Sequence, residues 1–229
     1  MADQNQQAER LNFVTVPGIA NFPHLFEPDP KNGKYTLTVL FDKKDPAVSQ
    51  MMRDLQAKCA EAIRRGIDGE PGRDGKSYAP FSGHSMDDKE WVGRLRLPVE
   101  DGDTARFDRG DNVGKLKKDV YEEYEGRWVL KTGTKTDLAA AGWVVDSNRR
   151  RLTAADLYSG AIVRVNVWLY AYKQDNSGVG AMLNAVVKTG DGERVGGQAE
   201  RAGCVEPVRG HGRLTGGEAH HSGYGSHPV

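Results

Sequence analysis

The run GAIVRVNVWLYAYK, residues 160–173, decides the reading of the fold. Side chains alternate across a strand with period two, so Val163, Val165, Val167, Leu169 and Ala171 share one face. That face is plain core. The opposite face carries Arg164, Asn166, Trp168, Tyr170 and Tyr172. A solvated strand face usually carries Lys, Glu and Thr. Three aromatic rings in a row behind a cation and an amide are a different composition. They suit a platform on which unpaired bases stack, with nearby Arg and Lys holding phosphates. The alternative is that the aromatics lie under the helix or under residues 67–126, because one bulge in the strand would exchange its faces.

Working outward, Gln174 to Gly178 reads as a hairpin turn and Val179 to Lys188 as the returning strand. Toward the N-terminus, Lys34 to Phe41 (KYTLTVLF) also alternates. Tyr35, Leu37, Val39 and Phe41 fall on one face, with Lys34, Thr36 and Thr38 on the other. A helix follows. Asp45 suits the N-cap, Pro46 the first helical position and Gly66 the stop. Val48, Met52, Leu55, Cys59 and Ala62-Ile63 form its apolar stripe. Cys59 lies on that stripe and is read as packing. Further strands are expected at Arg127 to Thr132 and at Trp143 to Asp146. Thr153 to Leu157 suits one helical turn, and Trp91 to Leu97 suits brief strands. Residues 67–126 otherwise read as a long Gly-, Pro- and charge-rich excursion. Many strands and one solid helix, without βαβ alternation, point to a mainly β protein built on a small closed or half-closed barrel.

The chain has 229 residues with 32 basic and 32 acidic side chains, and is formally neutral. Its mean hydropathy is -0.64. This balance excludes a grossly basic, histone-like binder but not a local basic groove. From Arg127 to Arg151, six basic residues (Arg127, Lys131, Lys135, Arg149, Arg150, Arg151) face two acids, Asp137 and Asp146. Arg127 and Lys131 share one strand face, and the Arg149-Arg150-Arg151 turn suits a phosphate contact. No run of 18 apolar residues exists, so no transmembrane helix is expected. The polar first residues do not read as a secretory signal. Two distant cysteines, Cys59 and Cys204, suit a reducing cytoplasm. Residues 1–11 and the Gly/His-rich stretch 203–229 read as flexible ends flanking one domain, 12–202.

Other signals weaken on inspection. GEPGRDGKS (69–77) ends like a phosphate-binding loop, but Glu70 stands where the first glycine belongs. His84, Asp87 and Asp88 are contiguous in a loop without a fourth metal ligand. The tail histidines sit in low-complexity sequence. No catalytic residue, metal site or cofactor is expected.

GIANFPHLFEPDPKNGKYTLTVLFDKKDP from Gly18, and DLYSGAIVRVNVWLYAYKQDNSGVGAMLNAVVKTGDGERVGG from Asp156, resemble a family of bacteriophage single-stranded-DNA-binding proteins. LPVEDGD and the Tyr121-Glu-Glu-Tyr-Glu-Gly126 patch are similar too. The resemblance spans roughly residues 12–200, with 67–96 weakly matched. It implies an OB-fold: a five-stranded barrel with one amphipathic helix and extended loops. It also implies a protein that coats single-stranded DNA, with little sequence preference, during phage replication and recombination. The implied partners are single-stranded DNA, replication or recombination proteins and a second copy of the chain, in the cytoplasm of the bacterial host. One departure is the C-terminus. Such proteins commonly end in an acidic tail closed by Phe, whereas residues 204–229 hold only Glu206 and Glu218 as acids. Two rival readings are a scaffold on the same barrel that does not touch DNA, and a nuclease using the acids between Glu100 and Asp111.

Overall fold

The computed structural model describes residues 11–30, 32–71, 77–173 and 176–195. Ten strands and two α-helices follow in chain order. They are β1 (Leu11–Val14), β2 (Gly18–His24), β3 (Tyr35–Asp42), α1 (Pro46–Asp68), β4 (Glu70–Pro71), β5 (Ser77–Tyr78), α2 (Lys89–Arg94), β6 (Val99–Asp101), β7 (Arg127–Thr134), β8 (Val144–Asp146), β9 (Ile162–Tyr172) and β10 (Gly178–Gly190). The flexible ends expected at 1–11 and 203–229 fall almost wholly outside the described residues. So do Cys204, the tail histidines and the centre of the 69–77 loop.

Five strands close on themselves in the order β9-β2-β3-β7-β10, with β10 returning to β9. All neighbours are antiparallel except β7 and β10, which meet in parallel at Met182 and Gly133. This is the expected five-stranded OB-type barrel. Three strands extend it: β1 on β9, β8 on β10 and β6 on β7. The alternation of β9 holds along its length: Val163, Val165, Val167, Leu169 and Ala171 all point into the core. Across the barrel they join Leu37, Val39, Phe41, Leu130 and Leu183 in one buried cluster.

Helix α1 packs its stripe against the same cluster. Asp45 caps it by accepting the Ala47 N–H at 2.8 Å, and Pro46 opens it. Cys59 is buried, which pushes its thiol up to about 12, so it stays protonated. The expected stop at Gly66 is corrected. The helix runs one half-turn further and ends at Gly69, whose φ of 89° only glycine adopts comfortably. Gly66 instead marks a close crossing. A Cβ there would lie 2.7 Å from both the Ala171 Cβ and the Phe81 ring.

The excursion is folded rather than loose. β4 and β5 form a small hairpin, with Glu70 opposite Tyr78. The brief strands expected at Trp91 to Leu97 are also corrected. Asp88 accepts the Trp91 N–H at 2.9 Å and starts the short helix α2, while Arg96 makes a single bridge to Gly178. Trp91 meets Phe81 edge to face and stacks on His84, ring centroids 4.2 Å apart in the stack. The Asp-rich stretch is fastened by ion pairs. Lys43 reaches Asp101 at 2.5 Å and Asp103 at 2.6 Å, and Asp103 also accepts the Gly126 N–H at 2.9 Å. That backbone donor, with Lys43, holds the Asp103 carboxyl below its usual range. Thr153 to Leu157 forms one turn, closed by the Leu157 N–H on the Thr153 carbonyl at 3.3 Å.

Candidate nucleic-acid interface

The polar and aromatic face of β9 points out of the barrel. Strand pairing sets its neighbours. Trp168 lies between Asn12 of β1 and Met182 of β10, Tyr170 lies opposite Gly180, and Tyr172 opposite Gly178. The three rings form a continuous row. Centroids of Trp168 and Tyr170 are 5.8 Å apart, and those of Tyr170 and Tyr172 are 6.2 Å apart. Neighbouring planes are tilted by 44° and 51°, so the rings meet at an angle rather than in a flat stack. Tyr170 is the most open of the three, at 38% exposure. Burial, followed by its neighbours Tyr172 and Tyr78, pushes its phenol above the ordinary value, so it remains a neutral donor.

Gly180 makes room for the Tyr170 ring on the sheet. A Cβ on it would stand 2.6 Å from the Tyr170 ring. The ring therefore rests on bare backbone of β10, which a larger residue would occupy. Gly180→Ala is expected to tilt Tyr170 off the sheet and to weaken nucleic-acid binding several-fold, with little change in melting temperature. Fluorescence titration beside a thermal melt checks it.

A groove of about 960 Å³ opens at the tyrosine end of this row. Tyr170 and Tyr172 form its floor, and Tyr78 of β5 (54% exposed) stands at its wall. Lys34, Arg96, Lys117 and Lys131 line it, with Glu100 and Asp108 among them. Three of these cations, Arg96, Lys117 and Lys131, are pre-clamped. Glu100 lies 2.7 Å from both Lys117 and Lys131, and Asp108 lies 2.5 Å from Arg96. Burial pulls the Lys131 ammonium below its usual pKa, while Glu100 pulls the other way.

Of the residues singled out from sequence, Tyr170, Tyr172 and Lys131 line this groove, and Trp168 adjoins it through its contact with Tyr170. Asn166 lies on the same face, where its side-chain carbonyl accepts from the Asn184 amide at 3.1 Å. Arg164 occupies the far end of β9, about 20 Å from Tyr170 at the usual strand rise, and its Nε donates to the Thr15 carbonyl at 3.0 Å. Arg127 does not join the groove. Its guanidinium donates to the Glu123 carbonyl at 3.0 Å. Val129, between Arg127 and Lys131 on the same strand face, is buried in a small cluster with Tyr124 and Leu40. The Arg149–Arg151 turn follows β8, at the Arg164 end of the sheet. There Arg149 has a φ of 64°, Arg150 pairs with Asp146 at 3.1 Å and Asp156 at 3.5 Å, and the Arg151 guanidinium lies over Gly142.

Sequence reasoning missed Tyr78, Lys34, Arg96 and Lys117 as groove residues. Lys34 sits one residue before a strand whose polar face was legible. The other three lie in the excursion, where no periodicity marks a face. Among the described residues, no group of His, Cys, Asp and Glu is arranged to hold a metal ion. No helix among them is long and apolar enough to cross a membrane.

A family model described as "Enterobacter phage Enc34, ssDNA-binding protein" matches residues 14–205. Among solved structures, the chain is similar to the single-stranded DNA-binding protein from bacteriophage Enc34 in complex with ssDNA. The TM-score is 0.57 and the identity 18%, covering 81% of this chain and 89% of that one. A second solved structure of the single-stranded DNA-binding protein from bacteriophage Enc34 matches with a TM-score of 0.56 at 18% identity, covering 82% of this chain and 85% of that one. The single-stranded DNA-binding protein gp2.5 encoded by bacteriophage T7 is similar over 90% of this chain and all of that one, with a TM-score of 0.50 at 18% identity. At these identities the structural likeness establishes the fold. No curated protein sequence matches the chain.

Proposed function

The chain belongs to the family of the Enterobacter phage Enc34 ssDNA-binding protein, and from that premise we propose that it binds and coats single-stranded DNA during phage DNA replication and recombination. The observation that carries this reading is the outward row Trp168, Tyr170, Tyr172, with Tyr170 seated on Gly180 and both tyrosines in the groove that the cations line. Bases of any identity stack on such rings, and the backbone follows the cations, so little sequence preference is expected. Trp168, Tyr170 and Tyr172, with Tyr78 opposite, are the stacking residues. Lys34, Arg96, Lys117 and Lys131 are the first phosphate contacts. Asn166, Arg164 and the Arg149–Arg151 turn continue the path toward the other end of β9. Arg127 acts on structure instead, holding the 121–126 segment to the barrel.

The reading needs no catalytic step. Of the acids from Glu100 to Asp111 that a nuclease would use for metal binding, Glu100, Asp101, Asp103 and Asp108 are engaged with Lys43, Lys117, Lys131 and Arg96. A DNA-independent scaffold would bury the aromatic row, and Tyr170 is open. The place of action is the cytoplasm of the infected host. A gel-shift comparison of a single strand, the matching duplex and an RNA strand at two salt concentrations tests the reading. The single DNA strand should shift at the lowest protein concentration and quench tryptophan fluorescence. Equal affinity for duplex, or no shift, overturns it.

A further inference from the structure

Beyond the aromatic row, toward the Arg164 end of the same sheet face, three asparagines converge from three neighbouring strands: Asn12 of β1, Asn166 of β9 and Asn184 of β10. Asparagine is depleted in strands, so three in adjacent positions need a reason. One of them is placed by a special device. The β9–β10 register slips between Leu183 and Ala185, which leaves Asn184 as the extra, bulged residue. Bulges re-aim side chains. Here the bulge turns the Asn184 amide onto its neighbours, donating to the Asn166 carbonyl at 3.1 Å and to the Asn12 carbonyl at 3.5 Å.

Those bonds fix which groups remain available. The Asn184 side-chain carbonyl and the Asn12 and Asn166 amide N–H groups have no hydrogen bond to another described residue. An acceptor and donors thus sit side by side, in a cavity of about 420 Å³. Its wall is Trp143, which is 58% exposed and belongs to the segment leading into β8. The Trp143 carbonyl accepts the Val186 N–H at 2.8 Å, so its backbone is anchored to β10 while its ring stands in solvent. Asn12 and Met182 both lie opposite Trp168 in register, so the cavity continues the aromatic row.

We propose that this amide cluster and Trp143 form a base-reading subsite, in which one unpaired nucleobase stacks on Trp143 and presents its hydrogen-bonding edge to Asn12, Asn166 and Asn184. The proposal rests on the single-strand path inferred above and extends it. Stacking on Tyr170 tolerates any base, whereas hydrogen bonds to a base edge distinguish bases. The amide pocket therefore gives the protein a base preference at one point of each footprint.

The test compares the full chain with Trp143→Ala, Asn12→Ala and Tyr170→Ala. Each is titrated with 20-nucleotide oligothymidine, oligodeoxyadenosine and oligodeoxycytidine strands at fixed salt, after circular dichroism has verified folding. Both Trp143 and Asn12 are exposed, so neither change empties the core. The expected result is that Trp143→Ala weakens binding about fivefold or more, and that Asn12→Ala narrows the spread of affinity among the three homopolymers. If Tyr170→Ala weakens binding while Trp143→Ala and Asn12→Ala match the parent, the subsite is overturned and the single-strand path stands. If Trp143→Ala weakens binding but Asn12→Ala leaves the homopolymer spread intact, edge reading by the amides is overturned. If the parent binds none of the strands, the path and the subsite fall together.

Discussion

Replacing both Trp168 and Tyr170 by alanine is expected to weaken binding of an oligothymidine strand roughly thirtyfold or more. Base–aromatic stacking is worth about 1–3 kcal/mol per base, and two faces are removed. The strand should not unfold. Both side chains lie on the outer face, and the inward residues Val167, Leu169 and Ala171 are untouched. Some melting-temperature loss is expected from Trp168, which also packs partly against the core, and less from Tyr170. The two rings touch, so their single substitutions need not add. A double-mutant cycle read by fluorescence anisotropy separates the two cases. Additive losses mean each ring stacks its own base. A double loss no larger than the greater single one means they hold one base together. If the double variant binds like the parent at fixed salt, the row is not the stacking surface.

The parts of this molecule that could be read from the sequence are those whose periods run uninterrupted. β9 spans 11 residues and α1 spans 23, and in each a single missed position would not hide the pattern. Gly66 was misread because a glycine near the end of a helix signals a stop, while this one exists for the approach of Ala171 and Phe81 from distant sequence. The excursion stayed opaque for a related reason. Its elements are two to six residues long, too short to show a period. They are held by contacts such as Lys43 to Asp101, 58 residues apart, which no local pattern encodes. The site shows the same division. The aromatic row sits on the readable strand. Tyr78, Arg96 and Lys117 come from the opaque stretch. Arg127 and Lys131 share strand parity, and what separates them is tertiary: Arg127 donates to the Glu123 carbonyl, Lys131 pairs with Glu100, and Val129 between them is buried with Tyr124.

Salt should weaken binding steeply, and the pairing of the groove cations decides by how much. With Lys34, Arg96, Lys117 and Lys131 each meeting one phosphate, a single-strand slope of about -0.7 per contact predicts a roughly fiftyfold fall in affinity between 50 and 200 mM salt. A flat titration would exclude a groove that tracks the backbone. Equal totals of acid and base do not soften this expectation, because affinity depends on what each groove cation faces. One carboxylate, Glu100, holds both Lys117 and Lys131 at 2.7 Å, so an incoming phosphate must displace it and then lie beside it. Glu100→Gln removes that competitor. Binding at low salt should tighten several-fold, and the salt dependence should steepen. The same change has an opposite consequence at high pH. Lys131 already loses its proton more readily than an ordinary lysine because burial penalises its charge, and Glu100 is the group that opposes this. A lysine contributes to phosphate binding below its folded-state pKa and stops contributing as pH rises through it. The parent should therefore weaken at a lower pH than unperturbed lysines would dictate, and Glu100→Gln at a lower pH still. Lys131→Arg, whose guanidinium keeps its charge throughout, should remove the difference between the two. An alkaline limb unaffected by either substitution would place Lys131 outside the phosphate path.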